Sequence, residues 1–297
     1  MAKEEIILVA GATGRQGGAV ARQLITDGWQ VRAMTRNPKQ APAVMLKGQG
    51  AQIVQADMDE PESLVAACEG AYGVFSVQNF WEAGADREVR EGKNLAEAAD
   101  AAGVQHFVYS SVGGAERNSG LSHFESKWKI EQYIAELDLR ATILRPVFFM
   151  DNFLGDAFRT QIQQGELAMG LAEGKVLQMV AVKDIGVFAG MAFMYPDDWV
   201  GYEIEIAGDQ LSGRQMAAAI SRATGKDVEY RYIPTEEIHK ASPENAAMFD
   251  WFNSAGYEAD IPQLREVHPD LLSFRAWLEQ IGKDVLMAPV KAEVKHK

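Results

Sequence analysis

Apolar runs and amphipathic patterns alternate through the first half of the chain. The apolar runs fall at residues 6–10, 31–35, 52–56, 73–77, 107–110 and 142–144 and predict strands. Helical patterns lie between them at 17–27, about 42–48, 61–69, 86–102 and 124–137. Turn signals such as Asp27-Gly28, Gly48-Gln49-Gly50 and Ala102-Gly103 separate the segments. Strands this apolar must be covered on both faces, and helices between them supply the cover. With right-handed crossovers the expectation is an α/β fold, a Rossmann-type doubly wound parallel sheet.

The second half is less regular. It predicts strands at 176–182, 202–207 and 227–233, and helices at 185–193, from Ser212 through 223, and at 235–240, 243–255 and 271–281. Asp184 and Ser212 are the expected N-caps. The expected layout has an NAD(P)-binding core at 1–152 and a smaller α+β C-terminal part at 153–290. Some elements of that part return to the core sheet, and it forms a substrate or partner cleft. Residues 291–297 read as a disordered tail.

Composition narrows the function classes. At 297 residues, 47% hydrophobic and 24% charged, the chain has the make-up of a soluble protein. No apolar run approaches a membrane span, and the charged start Met1-Ala2-Lys3-Glu4-Glu5 does not resemble a signal peptide. The single Cys68 excludes an intramolecular disulfide and a cysteine metal cluster, so a cytoplasmic setting and no metal are expected. A net charge of −13 argues against direct binding to nucleic acid or an anionic membrane. Any pocket for a phosphorylated ligand must therefore concentrate its positive charge locally.

One stretch does carry a phosphate signal. Gly11-Ala12-Thr13-Gly14-Arg15-Gln16-Gly17-Gly18 follows the first strand and opens the first helix. The glycines permit a tight turn and close backbone approach, and the N–H groups and positive dipole end of the helix hold an anion. The spacing is G-x-x-G-x-x-G. The alternative is a glycine-rich turn with no ligand.

The end of the second strand discriminates between nicotinamide cofactors. NAD sites place an acid there for the ribose 2′-OH, and NADP sites place an arginine nearby for the 2′-phosphate. Here the residues are Thr35-Arg36-Asn37-Pro38-Lys39, with no acid, and Asp27 comes too early. Arg36, supported by Lys39 and Arg15, favours NADP over NAD. The alternative leaves Arg36 a solvated strand-end residue. Asp57 and Met58 after the third strand, and Gln78, Asn79 and Phe80 after the fourth, are placed to line the same cleft.

Short-chain dehydrogenases move protons with a serine after the fifth strand and a Tyr-x-x-x-Lys pair on the next helix. This chain has Ser110 at that strand end, and His123 stands four residues before Lys127, where the tyrosine belongs. The i, i+4 spacing puts both on one helical face. His123 is either a proton donor or a polar first-turn residue with none to deliver.

At these residues the chain resembles the NmrA-like family of atypical short-chain dehydrogenases. The resemblance rests on residues 9–17, Thr35-Arg36-Asn37-Pro38, Asn79-Phe80-Trp81-Glu82, Tyr109-Ser110 and His123-Phe124-x-x-Lys127. It runs through Arg145-Pro146 and Asp151-Asn152 to Trp277-Leu278-Glu279-Gln280, and weakens between about 152 and 180. It implies an NADP site, in some members NAD, often without turnover, together with cofactor-ratio sensing and a regulatory protein partner. By the same resemblance, Gly11 to Gln16 bind phosphate and Arg36, Asn37, Lys39 and Gln40 lie on the 2′-phosphate side. Asp57 and Met58 would contact adenine. Gln78, Asn79, Phe80, Arg90 and Lys127 would contact the ribose and nicotinamide half, and Phe149, Met150, Asp151 and Asn152 would close over it. Arg15 replaces a small residue and Gln40 a basic one, and either change can alter the NADP preference.

Two functions follow. One is an NADP(H) sensor or redox regulator with weak or no turnover, suggested by the absent tyrosine. The other is an NADPH-dependent reductase of a quinone, enone or other small carbonyl compound, with Phe80, Trp81, Phe148, Phe149, Met150 and Phe153 around a flat apolar substrate. The second set is equally consistent with core packing. A partner-binding module that has lost its ligand is a third reading, disfavoured by the intact glycine loop and Arg36. The chain is expected to be a monomer or homodimer.

Overall fold

The six apolar runs of the first half become six strands, each joined to the next through a helix. The computed structural model describes residues 4–281 and 283–290. The expected tail at 291–297 and the first three residues lie outside the described residues. In chain order the elements are β1 (Ile6–Val9), α1 (Arg15–Thr26), β2 (Gln30–Thr35), α2 (Ala41–Gly48), β3 (Gln52–Gln55), α3 (Pro61–Cys68) and β4 (Gly73–Ser76). Then come α4 (Phe80–Ala83), α5 (Ala85–Ala101), β5 (His106–Ser110), α6 (Ser122–Glu136), β6 (Ala141–Pro146), β7 (Phe148–Phe149), α7 (Asp156–Gln164), β8 (Glu166–Met169) and β9 (Val176–Val180). The remainder is α8 (Val182–Met194), α9 (Pro196–Trp199), β10 (Glu203–Ile206), β11 (Asp209–Ser212), α10 (Gly213–Thr224), β12 (Glu229–Tyr232), α11 (Thr235–Ala241), α12 (Pro243–Ser254), α13 (Ile261–Val267), α14 (Phe274–Ile281) and α15 (Lys283–Met287).

The chain divides into two compact units. The first holds the residues up to Pro146 together with Val182–Ile206. The second holds Val147–Ala181 and the residues from Ala207 onward.

The first unit is built on a seven-stranded sheet in the order β10-β6-β5-β4-β1-β2-β3, with every pairing parallel. Alternate residues of each strand point to opposite faces. Leu8, Val74, Phe107 and Tyr109 pack with Leu64, Leu95, Ala99, Ile130 and Ile134 of α3, α5 and α6. The opposite face carries α1 and α8, which pack on each other. This is the doubly wound Rossmann-type arrangement, and strand order reverses at β1, so a crevice opens at the carboxyl ends of β1 and β4. The strand expected near 202–207 is β10, and it returns to this sheet beside β6.

The second unit has a three-stranded sheet, β11-β9-β7, and a parallel pair, β12-β8. Ser212 caps α10 as expected, in a reciprocal capping box with Gln215. Asp184 does not cap its helix: α8, in the first unit, begins at Val182 and takes Asp184, buried, into its first turn. The helix thus starts three residues before the expected 185, two residues after β9 ends. Elements α7, β8 and β11 carry too short or mixed an apolar pattern to have been expected.

Candidate functional site

The glycine loop, Arg36, Asp57-Met58, Gln78 and Ser110 all lie at or just past the carboxyl ends of the strands β1 to β5. The glycine loop leaves β1 with Gly11 at φ +59°, a left-handed conformation that favours glycine. Ala10 donates to the Phe75 carbonyl at 2.9 Å, so the loop starts hydrogen-bonded to β4. A Cβ on Gly17 would come within 2.4 Å of the Gly11 carbonyl oxygen and 2.5 Å of that of Ala10. Only glycine lets α1 start this close to the strand it leaves. Gly14 is the N-cap, no side chain caps the helix, and its first turn holds no acid. The positive end of α1 is thus left for an external anion, which is the condition for a phosphate cradle.

Ser110 stands at the end of β5, fully buried, and its hydroxyl donates to Gln16 Oε1 at 2.7 Å. This bond ties β5 to the first turn of α1 and engages the serine proton. After β4, buried Gln78 donates to Ser76 Oγ at 2.9 Å and to the Met58 sulfur at 3.5 Å. Its Oε1 is buried with no hydrogen-bond partner among the described residues. An orphaned acceptor between the ends of β3 and β4 fits a ligand that donates to it.

Arg36, just past β2, pairs with Glu82 of α4 at 2.6 Å, and the Glu82 hydrogen bond raises its pKa. Both side chains are about half exposed. Asn37 and Gln40 turn back on Thr35: its hydroxyl accepts from the Asn37 amide at 3.2 Å and from Gln40 Nε2 at 2.8 Å. The Lys39 amide donates to Asn37 Oδ1 at 3.1 Å.

Past β3, Asn94 of α5 donates to the Met58 carbonyl at 2.8 Å and fixes the Asp57-Met58 turn. Arg90 donates through both Nε and Nη2 to Asp59 Oδ1, at 3.1 and 2.9 Å. Arg87 reaches Asp59 Oδ2 at 2.8 Å and Glu91 at 2.9 Å. The Arg90 bond, with Arg87 behind it, holds Asp59 below its usual range. Burial raises Glu91. The carboxylates of Asp57, Asp59 and Glu91 lie within 4.8 Å of one another, with Asp59 paired to both arginines and Glu91 to Arg87. Arg90 therefore lies beside the Asp57-Met58 end of the site.

His123 and Lys127 share the first turns of α6. His123 is buried among rings: Phe124 at 4.8 Å, Trp81 at 5.3 Å and Phe80 at 5.6 Å between centroids. Lys127 Nζ donates to Glu88 Oε1 at 2.8 Å, and Ser126 donates to the other Glu88 oxygen. Glu88, on α5, is fully buried. Sequence reasoning did not single it out, although it falls on the same face as Gly92, Leu95, Ala96 and Ala99. A carboxylate in such an apolar stripe demands a partner.

Phe149, Met150, Asp151 and Asn152 belong to the second unit, where Phe149 ends β7 and the other three enter a 3₁₀ turn. Met150 and Phe153 are fully buried there, and Phe148 packs on Phe153 and Phe252, with centroids 6.0 and 6.3 Å apart. These rings form core of that unit.

The NmrA-like family model matches residues 3–281. An NAD(P)H azoreductase of Xenophilus azovorans is 34% identical over 240 residues, 80% of each chain. An NmrA-like oxidoreductase of Cladobotryum, FrzB, is 38% identical over 163 residues, and there the match spans only 48% of the relative's length. Among solved structures, the NADPH-dependent quinone oxidoreductase QOR2 of Escherichia coli with NADPH superposes at a TM-score of 0.79 with 23% identity, covering 93% of this chain and 99% of that one. NmrA, a negative transcriptional regulator, in complex with NAD gives 0.77 with 20% identity, covering 95% and 96%. At these identities the structures show the shared fold. No helix among the described residues is long and apolar enough to cross a membrane.

Proposed function

The chain belongs to the NmrA-like family, and on that premise we propose that it binds NADP(H) and acts as a cofactor sensor with weak or no turnover. The observation that carries this is the glycine loop on the uncapped start of α1, with Arg36 the first charged side chain beyond β2. The residues fit the cofactor: Gly17 lets the uncapped start of α1 pack against the end of β1 where a pyrophosphate would sit, Gln78 offers an orphaned acceptor, and Arg36 supplies a fork for a phosphate. Lys127 would hold the ribose on the nicotinamide side.

What the candidate proton carriers already do supports low turnover. Ser110 donates to Gln16, Glu88 takes up the Lys127 ammonium, and His123 is enclosed by rings in place of the usual tyrosine. Titration calorimetry with NADP⁺, NADPH, NAD⁺ and NADH tests the proposal. The NADP forms should bind more tightly, and Arg36→Ala should erase that difference. Absence of binding by any of the four refutes it.

The likeness to an NAD(P)H azoreductase favours a second reading, reduction of a quinone, enone or other small carbonyl compound, or of an azo compound. When bound, the reduced cofactor supplies a hydride. In that case Lys127 holds the cofactor and the His123 imidazole carries the exchangeable proton. NADPH consumption over a substrate panel decides, with Lys127→Ala and His123→Ala both required to lose activity.

A further inference from the structure

Arg36 and Glu82 stand 46 residues apart in sequence, yet the fold brings the guanidinium of one to the carboxylate of the other at 2.6 Å. Arg36 follows β2. Glu82 sits on α4, whose start is fixed because the Asn79 side chain accepts from the Trp81 amide at 3.2 Å. The carboxylate is therefore presented by a capped turn. Asp57 and Glu91 add further negative potential at Arg36. At about half exposure the pair is a water-accessible contact, weak enough to be exchanged for another anion.

Resting on the reading of Arg36 as the 2′-phosphate ligand, we propose that Glu82 sets the preference between NADP and NAD by occupying the guanidinium that the 2′-phosphate must use. A phosphate monoester carries about −1.5 to −2 charges. Two anions on one guanidinium fork lie on the order of 5 Å apart, and in water the repulsion between them weakens the second by about tenfold. The ribose 2′-OH of NAD carries no charge and meets no such repulsion. Glu82 thus disfavours the 2′-phosphate through Arg36 from α4, the helix that follows β4, whereas NAD sites place an acid at the end of β2 to accept from the 2′-OH.

Titration calorimetry of NADP⁺ and NAD⁺ on the full chain, in wild type, Glu82→Gln, Arg36→Ala and the double variant, tests this. Glu82→Gln is expected to tighten NADP⁺ by about tenfold and to leave NAD⁺ within about twofold. In the Arg36→Ala background the same substitution should gain much less, because the contested fork is gone. Equal effects on both cofactors, no effect, or weaker NADP⁺ binding in Glu82→Gln overturns the proposal. If Arg36→Ala leaves the NADP⁺ to NAD⁺ ratio unchanged, the Arg36 reading itself fails. If Arg36→Ala collapses the ratio while Glu82→Gln leaves it untouched, only the role of Glu82 fails. Unchanged thermal unfolding of Glu82→Gln confirms that the readout is a property of folded protein.

Discussion

Replacing Glu88 by leucine removes the acceptor of a buried ammonium. The Glu88 side chain is fully buried, and that of Lys127 is only 13% exposed, so water can restore little of the lost interaction. Breaking such a pair from one side costs about 3–5 kcal/mol. The slight exposure of Lys127 points to the lower half of that range, and the Ser126 hydroxyl, which loses its acceptor too, adds about 1 kcal/mol. A total near 4 kcal/mol lowers the unfolding midpoint by on the order of 10 °C in a protein of this size. Removing both charges in Glu88→Leu/Lys127→Met leaves an apolar contact of similar volume, and stability should return to within about 1 kcal/mol of wild type. Thermal and urea unfolding of the two single variants and the double variant complete the cycle, and the double variant should lose several kcal/mol less than the two single losses added together. Strict additivity, or a double variant no more stable than Glu88→Leu, refutes the account of Glu88 as the counter-charge of Lys127.

Burial, helped by Arg140, depresses buried His106 to about 4, so between about 6.5 and 4 the unfolded chain binds a proton that the folded chain refuses. Stability is therefore complete above pH 6.5 and falls as pH drops through that window, by up to about 3 kcal/mol. His106→Asn should remove about one proton's worth of that slope, measured by urea midpoints across pH. Gly17→Ala places a methyl 2.4 Å from the Gly11 carbonyl, and dinucleotide binding should be lost in calorimetry, with a lowered unfolding midpoint. Burial raises the Cys68 thiol to about 12, so thiol reagents should label it only on unfolding. Rapid labelling of native protein contradicts its burial at the end of α3.

Tyr72, Gln105 and His106 illustrate what a single strand cannot reveal. The Tyr72 carbonyl, one residue before β4, accepts from the Gln105 and His106 amides at 2.8 and 3.3 Å, a join set only when the strands align. His106 itself reads as a strand-end polar residue. In the fold its Nε2 lies 2.8 Å from the Thr142 hydroxyl, which donates to the Trp199 carbonyl, so Nε2 is the protonated nitrogen. Asp184 shows the reverse error, because a residue type suited to capping was drawn into α8 when the helix began earlier.

The sequence alone determined the parallel sheet, because near-continuous apolar strands separated by amphipathic helices admit few other burials. It also determined the glycine loop, because local backbone sterics and helix polarity are written in consecutive residues. Tertiary structure decided what each charged side chain does. Arg36 meets Glu82, Arg90 meets Asp59, Lys127 meets Glu88 and Ser110 meets Gln16 across separations of 31 to 94 residues. Ion pairs and hydrogen bonds require contact within a few ångströms, and chain spacing carries no record of that contact until the strands have taken their order.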